Sequence, residues 1–180
     1  MIIVMGLPGA GKTTVLEKVK TEKKNWTFLN WGDLMFDVER ETGWVKQRDE
    51  MRKLPVEKQL KAQEMAAKKL SEMANNRIVI DTHCSILTPT GYLPGLPFRI
   101  LKMIPVTHLV LVTADVKEVE QRRKNDPTRV RDTDDIGLHD QMNKAYLASY
   151  SAFTGANAVI IYNNTGKLDD AVKKLAGILA

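Results

Sequence analysis

The chain opens on Met1-Ile2-Ile3-Val4-Met5 and passes straight into Gly6-Leu7-Pro8-Gly9-Ala10-Gly11-Lys12-Thr13-Thr14. A continuous apolar run that stops at glycine predicts a strand buried on both faces, as in a parallel sheet. The residues after it fill every fixed position of a P-loop, and Gly9 adds one glycine more. By average residue usage the four fixed positions coincide by accident in roughly one chain of this length in a hundred, or fewer. The motif demands a strand before it and a helix after it. Only there do closely wrapped backbone N–H groups and the positive end of a helix converge on a phosphate chain. Lys12 is expected to reach the β and γ oxygens and the Thr13 hydroxyl to ligate Mg²⁺. The alternative, a glycine turn that binds nothing, does not account for that context.

The rest of the chain alternates strands with helices. Trp26–Asn30, Arg77–Asp81, His108–Thr113 and Val159–Tyr162 read as further short apolar strands. Helical patterns cover Thr13 to Lys24, Gly32 to Glu41, Val45 to Lys53, and Pro55 onward with Val56, Leu60, Gln63, Ala67, Leu70 and Ala74 in one stripe. Asp115 is placed to cap a helix running to about Lys124. Thr133 or Asp134 opens another that Gly155 stops, and Leu168 to Leu179 closes the chain on an amphipathic helix. Thr88 to Pro97, rich in Pro and Gly, reads as a loop. The expected fold is therefore α/β, a five-stranded parallel sheet with helices on both faces in three layers. At 180 residues, with no repeat and no linker, one domain is expected.

Composition narrows the function classes. With 43% apolar and 27% charged residues the chain is an ordinary globular one. No run is apolar enough to cross a membrane, and with no basic n-region and no cleavage site before the glycine turn, no targeting to a membrane is expected. A single cysteine, Cys84, makes neither an internal disulfide nor a zinc cluster and suits the cytoplasm, so the two glycosylation sequons are set aside as chance. The net charge of +5 fits nucleic acid or a pocket for several phosphates. The arginines decide, because they gather at Arg48 with Arg52 and again between Arg122 and Arg131. No aromatic-interleaved basic strip is present, which argues against a nucleic-acid-binding module.

In Arg122-Arg123-Lys124-Asn125-Asp126-Pro127-Thr128-Arg129-Val130-Arg131-Asp132, five cations surround a proline break. Such a run is commonly a solvated face. Beside a P-loop it is expected to be a short lid that closes over a triphosphate, with Arg129 and Arg131 first and Arg122 next as closing contacts. Asp81, ending a strand, can hold Mg²⁺ through water or cap a turn. Arg48 and Arg52, at i and i+4, either grip one phosphate together or pair with Asp49 and Glu50. His83 follows Asp81 by two and reads more simply as a hydrogen-bonded structural residue than as a base. His108 and His139 have no partner in sequence. Trp26, Trp31, Phe36, Met51 and Met65 read as core or pocket wall. Asn163-Asn164-Thr165-Gly166, beyond the last strand, is placed to wall the base of a nucleotide.

The P-loop with Thr14, Asn30-Trp31-Gly32-Asp33-Leu34-Met35-Phe36, Gln47 to Lys53, Asp81-Thr82-His83, Thr88 to Pro97 and Arg129-Val130-Arg131-Asp132 resemble, nearly end to end, the archaeal type of adenylate kinase. The Gly91 to Pro97 block is more specific than the P-loop. The resemblance implies a P-loop kinase fold, Mg·ATP plus AMP giving two ADP, and often a homotrimer. It places an AMP-binding helical segment at residues 31–75, with Asn30, Phe36, Arg48 and Arg52 on the AMP side. It also implies that Asp81, His83 and Gly91 line the AMP pocket, and that residues 122–133 form a short lid without zinc. The chain departs from bacterial adenylate kinases at Asp81-Thr82-His83-Cys84-Ser85, where those carry Asp-Gly-Phe-Pro-Arg, so Arg48 or Arg52 is the expected replacement for that arginine. A kinase for another nucleoside monophosphate, a small-metabolite kinase and an NTP-hydrolysing switch remain alternatives. The last would carry a guanine-specifying Asn-Lys-x-Asp, absent here.

Overall fold

The computed structural model describes residues 1–73, 77–125 and 135–180. Ala74, Arg129, Arg131, Thr133, Asp134 and most of the expected lid lie outside the described residues. Strands β1 (Ile2–Gly6), β2 (Thr27–Asn30), β3 (Ile78–Thr82), β6 (His108–Thr113) and β7 (Asn157–Tyr162) form one parallel sheet in the order β2-β3-β1-β6-β7. The largely buried middle strands alternate side chains between two cores, as the period-2 geometry of a strand requires. Ile3 and Met5, Ile78 and Ile80, and Leu109 and Leu111 face one core. Ile2 and Val4, Val79, and Val110 and Val112 face the other. Burying an Ile or Leu side chain of this kind contributes roughly 1.5–3 kcal/mol, so the sheet is the main source of the fold's cohesion.

The first core is covered by α2 (Trp31–Glu41), α3 (Val56–Glu72), α4 (Phe98–Leu101) and α6 (Ile136–Thr154), the second by α1 (Lys12–Glu22) and α7 (Leu168–Ile178). A third, smaller core lies under the P-loop, where Leu7 and Ala10 meet Val119 of α5 (Val116–Lys124) and Ile136. Trp31 and Met65 belong to the first core and Trp26 packs on the second. No helix among the described residues is long and apolar enough to cross a membrane.

Three elements differ from the sequence expectation. Ser85–Thr88 (β4) and Gly91–Pro94 (β5) form an antiparallel hairpin, where proline and glycine content predicted a loop. Both prolines avoid the pairing problem, because Pro89 lies in the turn and Pro94 ends its strand. The Thr88 hydroxyl closes the turn by donating to the Gly91 carbonyl at 2.7 Å. Arg48–Lys53 is a 3₁₀ turn, confined between a Gln47/Glu50 capping box and Pro55. Residues i and i+4 then lie about 120° apart around the axis, against about 40° in an α-helix, so Arg48 and Arg52 do not face the same way. Asp115 does occupy the N-cap of α5, but its side chain makes no cap bond there. It accepts instead from Asn164 Nδ2 at 2.8 Å.

Glu39, on α2, is fully buried, and neither carboxylate oxygen meets a hydrogen-bond partner among the described residues. Burial raises its pKa above the usual carboxylate range. A carboxyl whose folded pKa is raised favours folding while it is protonated and loses that contribution as pH rises through the folded value. Glu39→Gln is therefore expected to melt at a higher temperature than the parent at pH 8. The two melting temperatures should converge as the pH is lowered to 4, as thermal unfolding across that range will show.

Candidate active site

The site forms where β1 ends. Gly11 is the N-cap of α1 in the left-handed region, with φ of +81°. A side chain there would also lie 2.4 Å from the Asn163 amide, so both conformation and space call for glycine. No side chain caps α1, which leaves its first N–H groups directed at the cleft. The cleft, of about 380 Å³, is lined by Gly6, Leu7, Pro8, Gly9, Gly11, Lys12, Thr13, Thr14, His83 and Arg122.

The loop is braced from behind. Arg123 Nε donates to the Pro8 carbonyl at 2.9 Å, and Asn163 Nδ2 to the Ala10 carbonyl at 3.0 Å. In a trans peptide the C=O and the following N–H point in opposite directions. Holding the Pro8 and Ala10 carbonyls outward therefore turns the amides of Gly9 and Gly11 inward. Arg122 joins the brace, reaching the Ala10 carbonyl at 3.4 Å and the Asn163 carbonyl at 2.9 Å. It also pairs with Glu118 at 2.9 Å, and the same Glu118 oxygen accepts from the Thr165 backbone N at 2.7 Å. Sequence reasoning found Arg122 and the Asn163 loop but missed Arg123 and Glu118. Their partners lie 115 and 47 residues away, and no local pattern marks such pairs.

Lys12 is largely buried and forms an ion pair with Asp81 Oδ1. Burial pulls its ammonium down to about 8. Asp81 sits at the end of β3 directly beside Asn30 at the end of β2, and Asn30 Nδ2 donates to Asp81 Oδ2 at 3.2 Å. A second cleft, of about 400 Å³, is lined in part by Thr13, Asn30, Asp33 and Asp81, so the two clefts share Thr13. A hydroxyl and a carboxylate on one cleft are hard oxygen donors of the kind Mg²⁺ takes.

The remaining expected residues lie farther out. Arg48 is exposed and pairs with Asp33, not with Asp49 or Glu50, and Arg52 is exposed. Phe36 is half-buried with the Arg40 guanidinium 5.7 Å from its ring centre. Gly91, with φ of +126°, lies at the exposed tip of the hairpin. None of these four lines the P-loop cleft. His139 is buried, its Nε2 3.1 Å from the Ser85 hydroxyl, and joins α6 to that hairpin.

A parallel sheet with β1 at its centre, a braced glycine loop and a buried lysine at the helix start define a P-loop kinase. A family described as an AAA domain matches residues 5–137. The chain is 43% identical to adenylate kinase of Methanocaldococcus jannaschii, over 99% of this chain and 97% of that one. It is 42% identical to adenylate kinase of Methanothermobacter thermautotrophicus (99% and 98%) and 41% identical to that of Thermoplasma acidophilum (99% and 97%). In structure it is similar to shikimate kinase of Bacteroides thetaiotaomicron, with a TM-score of 0.55 at 15% identity over 99% and 97% of the two chains, a likeness of fold alone. The chain belongs to the adenylate kinase family.

The brace makes its own prediction. Asn163→Ala removes a buried donor and leaves the Ala10 carbonyl with a poorer partner, which typically costs about 1–3 kcal/mol. Calorimetry is expected to show weaker ATP binding by several fold, together with a lowered melting temperature.

Proposed function

We propose that the chain catalyses reversible, Mg²⁺-dependent transfer of the terminal phosphoryl group of ATP to AMP, giving two ADP, with the donor triphosphate in the P-loop cleft. The observation that carries this is the convergence on one cleft of the glycine loop, Lys12 and Arg122. Gly6 to Thr14 would wrap the donor phosphates through backbone N–H groups, and Lys12 would leave Asp81 for their oxygens. Mg²⁺, held by Thr13 and through water by Asp81, would offset charge on the phosphates. Arg122, with Arg129 and Arg131 from the lid of residues 122–133, would neutralise the transferring group and keep water away.

On the acceptor side, within the segment of residues 31–75 and the Asp81 to Pro97 stretch, the candidates are Asn30, Phe36, Arg48, Arg52, Asp81, His83 and Gly91. The α2 and 3₁₀ elements carrying Phe36, Arg48 and Arg52 are anchored through the Arg48–Asp33 pair. A monophosphate has its second pKa near 6, so its attacking oxygen is already ionised at neutral pH and no general base is required. Catalysis then rests on positioning and charge neutralisation.

Cytoplasmic location and assembly into a homo-oligomer, a trimer by the family resemblance, belong to the same proposal. Cys84 is buried, and its thiol is pushed up to about 12, an inert state that suits a reducing compartment. Phe98 and Phe153, exposed and 4.9 Å apart, are apolar surface that an assembly would cover.

Lys12→Met is expected to lose well over a hundredfold in turnover while keeping the parent circular dichroism; near-normal activity would sink the assignment. A coupled assay comparing AMP, CMP, UMP and GMP as acceptors with Mg·ATP should give turnover with AMP far above the rest. Equal rates would make it a broad monophosphate kinase, whereas a small-metabolite kinase should accept none of them.

A further inference from the structure

We propose that Asn30 is a positioning residue that links the acceptor-side segment to the P-loop lysine: its side-chain amide supports the Asp81 carboxylate and so sets how readily Lys12 leaves it for phosphate. The proposal rests on Lys12 acting on the donor phosphates, as proposed above. Three placements support it. Parallel pairing of β2 with β3 puts Asn30 directly opposite Asp81, both at the last turn of the sheet before the cleft. The Asn30 amide is used at both ends, Oδ1 accepting from the Asp33 backbone N at 3.2 Å and Nδ2 donating to Asp81 Oδ2 at 3.2 Å. The other Asp81 oxygen holds Lys12.

The connection continues outward, since Asp33 pairs with Arg48 through its side chain. A side chain at Gly32 would lie 3.0 Å from Arg48 Nη2 and 3.1 Å from Asn30 Oδ1, so glycine lets the two approach. Arg48, Asp33, Asn30, Asp81 and Lys12 thus form one contiguous series from the 3₁₀ turn to the P-loop.

The physical consequence concerns Asp81 after Lys12 departs. With the Asn30 donor in place, one carboxylate oxygen stays satisfied and the other is free for a new partner. Without it, departure leaves a mostly buried carboxylate lacking both the amide and the ammonium that support it here, so Lys12 is held back. A residue that only capped α2 would not affect Lys12, and one that only touched the acceptor would leave donor binding untouched.

Asn30→Ser separates these roles. Serine caps a helix about as well as asparagine but lacks the arm that reaches Asp81. Asn30→Asp keeps size and cap and replaces the donor with a like charge against Asp81. The measurements are the melting temperature, calorimetric ATP affinity without AMP and without Mg²⁺, and kcat with KM for AMP. Both variants are expected to fold. Asn30→Ser should weaken ATP binding by about threefold to tenfold and lower kcat by about tenfold, the size of one typical net hydrogen bond. Asn30→Asp should act more strongly in the same direction, and because ATP affinity is read without AMP, any change in KM for AMP at this acceptor-side residue stays separate from it. ATP affinity unchanged in both variants overturns the proposal, whether KM for AMP rises or nothing changes.

In the Lys12→Met background Asn30→Ser should have no further effect on ATP affinity, because the lysine through which it acts is gone; a full additive loss also overturns the proposal. If Lys12→Met itself binds ATP and turns over normally, it is the underlying role of Lys12 that fails.

Discussion

Strand β1 pairs in parallel with β3 on one side and β6 on the other, and the site depends on that arrangement. The chain goes from β1 to the edge strand β2, returns inward to β3 and then crosses past β1 to β6 and β7, so the direction of winding reverses beside β1. In an open parallel sheet such a reversal leaves a crevice beyond the carboxyl ends of the strands. Gly6, Asn30, Asp81 and Thr113 all sit at such ends. Register matters as much as order. Asn30 meets Asp81 because Thr27 starts opposite Ile78, and a slip of one residue would also turn each middle strand's core face inside out.

Elements whose signal is carried by neighbours in sequence were legible. The apolar strands, the P-loop helix and the αL stop at Gly155 follow from periodicity and glycine alone. The hairpin of Ser85 to Pro94 was not, because its prolines and glycines are turn signals and its strands are only four residues each. The 3₁₀ turn at Arg48–Lys53 was misjudged because a six-residue stretch cannot show whether its period is 3.0 or 3.6. Among residues that line the two clefts, Lys12, Thr13, Asp81 and Arg122 stand out in the sequence by motif or charge. Glu118 and Arg123 do not, since their meaning lies in a carbonyl, an amide and a hydroxyl that the fold brings near. Asp115 was assigned the right position and the wrong partner: a cap position satisfied Asn164 in preference to its own helix.

The P-loop lysine faces an electrostatic problem that the rest of the site resolves. A buried ammonium without a partner would be strongly destabilised, yet one locked in a permanent ion pair could not serve an incoming anion. Asp81 answers the first need, and the solvent exposure its side chain keeps moderates the attraction. A carboxylate supported by an amide can lose its cation without being left unsatisfied, so the pair can exchange partners when a stronger anion arrives. The helix end and inward amides at Gly9 and Gly11 add positive potential to the same cleft, which under the proposed role of Lys12 would favour phosphate over a single carboxylate as its partner. Arg123 and the cleft-lining Arg122 act differently on the loop itself. By fixing the Pro8 and Ala10 carbonyls they keep those amides oriented before any ligand enters, so the reorganisation is done in folding and not in binding.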